Sequence, residues 1–239
     1  MAGQDPILKC ERNGEVAMLT LNRPESRNAI SRKLLRTLLA EVTSLDEDES
    51  IGAIVLTGAD PAFCAGVDLK ELLSIPGAGR DVGPRTEPLF NCRTPIIGAI
   101  NGPAYTGGFE LALNCHWLIA SERARFADTH AKFALTPGWG LSVLLAEAVG
   151  TRRARRLTTT GEVLDAEQAR DWGLVTEVVA HDALLPRALE LADRVARQDR
   201  GAIRALTGLF NEQAWVTDRE LWRIEHDAWV DPDSLSSSV

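Results

Sequence analysis

The chain contains no uninterrupted apolar run of membrane-spanning length, no C-x-x-C pair and no excess of basic residues. The first absence excludes a transmembrane helix. The second leaves Cys10, Cys64, Cys92 and Cys115 far apart in sequence, with no Cys/His cluster at metal-ligand spacing, so four free thiols in a reducing compartment are expected and no metal is. A formal net charge of −8 leaves no footprint for a nucleic-acid groove or an anionic membrane surface, and points to small-molecule ligands. There is no phosphate-binding loop, no dinucleotide fingerprint and no internal repeat. The nucleophile elbow G-x-S-x-G is missing too, because Ser142 in Gly140-Leu141-Ser142-Val143 lacks one of its glycines. Met1 to Lys9 holds no long apolar stretch of the signal-peptide kind, so a cytoplasmic location is the expectation.

What is present reads as α/β. Val16–Leu21 is a β-type run closed by Asn22-Arg23-Pro24, and from Ser31 the residues Leu34, Leu35, Leu38, Leu39 and Val42 recur at helical spacing until the acidic stretch 46–49. Ile54–Thr57 and Ile96–Ile100 are buried-strand runs that each lead into a glycine turn, and Trp117–Ala120 makes a fourth. Strand–turn–helix alternation predicts a largely parallel sheet with functional loops at strand ends. Residues 75–84 carry Gly and Pro without periodicity and are read as a surface loop able to act as a lid. Beyond Thr151 the pattern turns helical. Helices are expected over 165–172 behind an Asp cap, 183–198, 201–213 and 218–230, with a disordered tail from Ser234. Trp215, Trp222 and Trp229, seven apart, are assigned to packing or subunit contact.

Two turns carry the chemistry. In the segment from Asn101 to Glu110, Gly107-Gly108 opens a helix, and a carboxylate, Glu110, follows shortly after. Such a helix start aims unpaired N–H groups at any oxygen gaining negative charge. The second turn, Phe63 to Lys70 with Gly66 at its bend, follows a strand and is placed to supply another donor. Two donors and a carboxylate indicate chemistry on an activated acyl group. Cys64 lies beside this turn as a conceivable thiol nucleophile, although free cysteine is more often a small buried apolar residue.

Over nearly its whole length the chain resembles the enoyl-CoA hydratase/isomerase (crotonase) superfamily. The resemblance is carried in order by Asn22-Arg23-Pro24 with Asn28-Ala29, Ala62–Leu69, Asn101–Glu110, Phe126, Pro137-Gly138, Ala166–Ala169, Gly173–Val175 and Val178-Val179. It implies a spiral of ββα units over residues 1–195, a helical C-terminal trimerisation region over 196–239, and assembly as a homotrimer or a dimer of trimers. The ligand it implies is an acyl-coenzyme A thioester, with no cofactor beyond the coenzyme A of the substrate. By the same resemblance Val67 and Gly107 donate the oxyanion N–H groups and Glu110 is the base. Arg27, Ala65, Gly66, Asp68, Leu69, Lys70 and Gly108 lie on substrate-binding segments, with Arg27 and Lys70 available to phosphates.

Two positions depart from the family pattern. Thr106 stands where the first of three glycines is usual, and its hydroxyl either caps the following helix or narrows the acyl pocket. His130 stands where hydratases carry a second glutamate, so the acid/base pair is Glu110 with His130, the histidine serving as water holder or acid. Asp128, two residues earlier, is either a support for that ring or, more commonly, a surface acid; His116, His181 and His226 have no motif around them and are assigned structural or exposed places. The leading expectation is hydration of a 2-enoyl-CoA. Double-bond isomerisation and non-catalytic acyl-CoA binding are the alternatives.

Overall fold

The computed structural model describes residues 5–74 and 87–230. The expected lid at 75–84 and the tail from Ser234 lie outside them. Six strands form the main sheet in the order β1 (Leu8–Asn13), β2 (Val16–Leu21), β3 (Ala53–Gly58), β4 (Ile96–Ile100), β6 (Trp117–Ser121) and β9 (Glu177–Val179). β1 and β2 pair antiparallel, and every other pairing in this sheet is parallel. Every residue of β3 and β4 is buried, which is why these strands read as continuous apolar runs. β1 escapes the sequence reading because Lys9, Glu11 and Arg12 leave it no apolar run, as suits an edge strand. A second, three-stranded sheet joins β5 (Pro103–Tyr105), β7 (Arg125–Ala127) and β8 (Leu164–Asp165).

The chain therefore climbs in repeated turns from the main sheet to a helix, and the turns after β4 and β6 pass through the small sheet on the way. The turn after β4 runs through β5 into α4 (Gly107–Leu113), and the turn after β6 runs through β7 toward α5 (Leu141–Val149). Two isolated parallel bridges, Ile30 to Val67 and Cys64 to Ala104, stack successive turns on one another. This stacking is what brings glycine bends about forty residues apart in sequence into contact.

Local chemistry sets the helices as expected at most positions. α1 (Arg32–Glu47) is capped by Ser31, whose hydroxyl accepts from Leu34 N at 3.1 Å, and it buries Leu34, Leu35, Leu38, Leu39, Val42 and Leu45. Each such side chain contributes about 1.5–3 kcal/mol on burial. Short α2 (Leu69–Ser74) and α3 (Glu87–Phe90) precede β4, and α6 (Thr151–Thr160) follows α5. α7 (Ala166–Asp171) starts at a full capping box of Asp165 with Gln168, and α8 (Leu184–Ala196) packs on the main sheet. The two helices expected over 201–213 and 218–230 are instead one, α9 (Arg200–Val230). Residues 214–217, Ala-Trp-Val-Thr, contain neither Gly nor Pro, so nothing in the backbone breaks the helix there.

Candidate active site

Glu110 sits one turn into α4, 2% exposed, behind Gly107 and Gly108. Close approach demands glycine at 108 and leaves little room for a side chain at 107. A Cβ on Gly108 would lie 2.1 Å from the carbonyl oxygen of Cys64, a backbone atom of the other turn, and one on Gly107 would lie 3.2 Å from Val67 Cγ2 and 3.1 Å from the Trp139 ring. Cys64 and β5 are also laced together, with Cys64 N donating to Pro103 O and Tyr105 N to Cys64 O, each at 3.0 Å. The two glycine bends thus form one floor. The amides of Val67 and Gly107 donate to no carbonyl of the protein among the described residues, while Thr106 N donates to Ala127 O and Asp68 N to Ile30 O. Two free donors on adjoining bends suit an oxygen that gains negative charge.

The Asn and Gly residues around these bends build them. Buried Asn28, held at φ 57, donates to the carbonyls of Ala59 and Ala62 at 2.7 Å each, and Asn101 donates to Asp60 while accepting from Gly58 N. Below them Phe109 packs against Phe126 in a tilted arrangement with ring centroids 5.5 Å apart.

His130 projects from a short 3-10 turn after β7 and meets Glu110 across the cleft, with Nε2 3.4 Å from Glu110 Oε2. Its Nδ1 donates to Asp128 Oδ1 at 2.7 Å, and the same oxygen accepts the His130 backbone N–H at 3.0 Å. Asp128 is 1% exposed, so the common reading of it as a surface acid is wrong: it orients the imidazole. Burial opposes charge on His130, but the hydrogen bonds to Asp128 and Glu110 outweigh it and raise the imidazole to about 9. The same contact brings Asp128 below the ordinary carboxylate range against the opposing effect of its burial. The ring stands between two carboxyl groups, and both contacts favour its protonated form.

Glu110 is itself held. Its Oε1 accepts Trp139 N at 2.7 Å and Gly138 N at 3.2 Å, and Asn114, one turn further along α4, donates to the carbonyls of both Glu110 and Trp139. Ala65, Gly66, Val67, Leu69, Thr106, Glu110, His130, Phe133, Leu135, Thr136, Gly138 and Trp139 line the cleft.

Of the expected site residues, Glu110, His130, Val67, Gly107, Ala65, Gly66 and Leu69 come together here, and Gly108 supports the floor. Arg27 and Lys70 are exposed outside the lining, and the Asp68 carboxylate is bound to Arg23 at 2.9 Å. Thr106 does not cap α4: it stands at φ 52, ψ −117, makes no cap hydrogen bond and shares a hydroxyl contact with Thr129. That backbone conformation is strained for a β-branched residue, which is why glycine is the easier choice there. Cys64 is fully buried and its thiol is pushed up by burial to about 12, so it is no nucleophile. His116 is half-buried and its ring accepts Ile96 N, and His181 bonds Ser121 and Asp60, in structural places. Trp139, Asn114 and Glu225 of α9 carry no sequence signal, since each acts through contacts made only in the folded chain.

The sequence profile of the enoyl-CoA hydratase/isomerase family matches residues 11–236. The chain is 38% identical over 84% of its length to a probable peroxisomal enoyl-CoA hydratase of Arabidopsis thaliana, of which it covers 77%. It is 42% identical over 79% of its length to a probable enoyl-CoA hydratase of Rhizobium meliloti, of which it covers 75%. The crystal structure of an enoyl-CoA hydratase from Mycobacterium smegmatis superposes with TM-score 0.86 at 44% identity, over 94% of this chain and 97% of that one. One from Mycobacterium tuberculosis H37Rv does so with TM-score 0.86 at 46% identity and the same coverage.

Proposed function

The chain belongs to the enoyl-CoA hydratase/isomerase family, and from that membership we propose that it adds water across the 2,3 double bond of a 2-enoyl-CoA thioester. The thioester oxygen lies between the N–H groups of Val67 and Gly107. Water held beside Glu110 attacks C3 as the carboxylate takes its proton, and the electron pair of the double bond moves through C2 onto the thioester oxygen. The imidazolium of His130 then delivers a proton to C2. Glu110 passes its newly acquired proton to His130 Nε2, which restores both groups and leaves the 3-hydroxyacyl thioester.

The 3.4 Å contact between Glu110 and His130 is the observation that carries this reading, because hydration needs a base and an acid. Isomerisation needs only one group to shuttle a proton between carbons. Fixed donors favour the enolate over the neutral thioester, and loss of one costs about 2.7–4 kcal/mol of barrier in comparable sites. Ala65, Gly66 and Leu69 line the acyl path, with Asp68 and Gly108 bracing it, and Arg27 and Lys70, exposed outside the lining, remain available to the phosphates of coenzyme A. No cofactor or metal takes part.

No helix among the described residues is long and apolar enough to cross a membrane, and a cytoplasmic location fits that. Exposed Leu206, Leu209 and Phe210 on α9 favour assembly as a homotrimer or a dimer of trimers. A monomer by light scattering refutes that assembly. The reaction is tested with crotonyl-CoA by following loss of the conjugated-thioester absorbance. Wild type consumes it, Glu110→Gln abolishes the loss and His130→Ala lowers it by about 10²–10⁴-fold. Binding without absorbance loss over a range of acyl lengths refutes hydration.

A further inference from the structure

The buried carboxylate of Glu225, on α9, lies outside the machinery described above, yet it grips the same stretch of chain that holds Glu110. Its Oε1 accepts Gly140 N and its Oε2 accepts Ser142 N, each at 2.6 Å. Gly138 N and Trp139 N, immediately before, donate to Glu110. One five-residue segment, 138–142, is thus pinned between two carboxylates through four of its amides.

Trp222, one turn before Glu225 on α9, closes the clamp. A Cβ on Gly140 would lie 2.1 Å from the Trp222 ring, and Gly140 sits at φ +90, so both space and conformation require glycine there. Phe90 backs the indole with centroids 5.4 Å apart.

The arrangement is costly. Glu225 is 7% exposed, meets no Lys or Arg at ion-pair distance among the described residues, and is pushed up by burial and then by the neighbouring Glu110 carboxylate. A glutamine here would remove the charge, but it would put an NH2 donor where one of the two accepting oxygens stands, facing Gly140 N or Ser142 N. A carboxylate gives each amide its own acceptor oxygen.

We infer that Glu225 is a positioning residue: by holding Gly140 and Ser142 it fixes the segment whose preceding amides aim the Glu110 carboxylate, so that the C-terminal helix sets the geometry of the base. This rests on the hydration reading for its kinetic consequence, and on the hydrogen bonds alone for its structural one. A displacement of about 1 Å at a reacting group is enough to cost about 100-fold in rate.

The test is Glu225→Gln, read in two ways. With crotonyl-CoA, kcat is expected to fall by about 10–100-fold while KM stays within about twofold, because Ala65, Gly66 and Leu69, which line the acyl path, lie on a turn that Glu225 does not touch. In amide-resolved NMR, the N–H resonances of Gly138 and Trp139 are expected to move together with those of Gly140 and Ser142. A purely local capping role moves only the latter pair and leaves kcat at the wild-type value, and either result overturns the inference. If wild type itself does not hydrate crotonyl-CoA, the hydration reading fails, and the Gly138 and Trp139 resonances still decide the role of Glu225. If the glutamine variant does not fold, Glu225→Asp keeps both oxygens on a shorter arm and carries the same two readouts. Unchanged kcat and unmoved Gly138 and Trp139 amides in that variant overturn the inference equally.

Discussion

Asp128→Asn isolates the electrostatic support of His130, because asparagine keeps the shape and an acceptor oxygen but removes the charge. In the native protein the imidazole stands at about 9 against an ordinary 6.5, a displacement equivalent to about 3 kcal/mol. Burial works against the charged ring throughout, so the two carboxylates supply all of the increase, with the Asp128 hydrogen bond ahead of that to Glu110. Loss of the Asp128 charge therefore removes more than about one pH unit, and the asparagine is free to turn its NH2 toward Nδ1 and spoil the ring orientation. The assay is the pH dependence of kcat/KM for crotonyl-CoA hydration. The wild-type rate is expected to fall on the alkaline side near pH 9, as the imidazolium loses its proton. The variant is expected to fall at least about one unit earlier. If its imidazole titrates near ~7.5, a quarter of the molecules are protonated at pH ~8, against about nine-tenths of wild type, which is roughly a fourfold loss before misorientation is counted. An alkaline limb that stays where it was refutes the claim that Asp128 holds the acid in its charged form.

The same histidine links pH to stability. Its folded-state value lies above its unfolded one, so its contribution is complete below pH 6.5 and is lost as pH rises through about 9; denaturant midpoints are expected to decline across that window, and to do so much less in His130→Gln. Gly108→Ala places a methyl 2.1 Å from a backbone oxygen of Cys64, and the collision between α4 and the neighbouring turn is expected to cost about 3 kcal/mol or more in thermal unfolding. A loss under about 1 kcal/mol there contradicts the packing described. Thr106→Ala removes the contact with Thr129 and keeps a Cβ at φ 52, whereas Thr106→Gly relieves backbone strain of about 1–3 kcal/mol. Calorimetry should find the glycine variant the more stable of the two.

Much of the architecture follows from local pattern. The buried runs of β3 and β4, the apolar stripe and Ser31 cap of α1, and the Asp165 capping box of α7 are all settled by residues within a turn or two of each other. The glycine bends and Glu110 are equally legible, because a helix start and a nearby carboxylate are local facts. The continuity of α9 is less so, because the apolar periodicity falters over 214–217 although no breaker residue stands there.

The sequence by itself determined the kind of site: which backbone amides are released by glycine turns, which carboxylate follows them, and that a histidine occupies the second acid/base position. Only the tertiary structure decided how those groups are tuned. Asp128 changes from an ordinary acid into the partner of His130 because β7 turns it inward, and Glu225 reaches the Glu110-holding segment, 85 residues away from Gly140 in the chain, because α9 folds back over α5. The physical reason is range. Caps and turns are fixed by neighbours a few bonds away, whereas the charge state and aim of a buried group depend on whichever distant backbone donors and charges the fold packs against it.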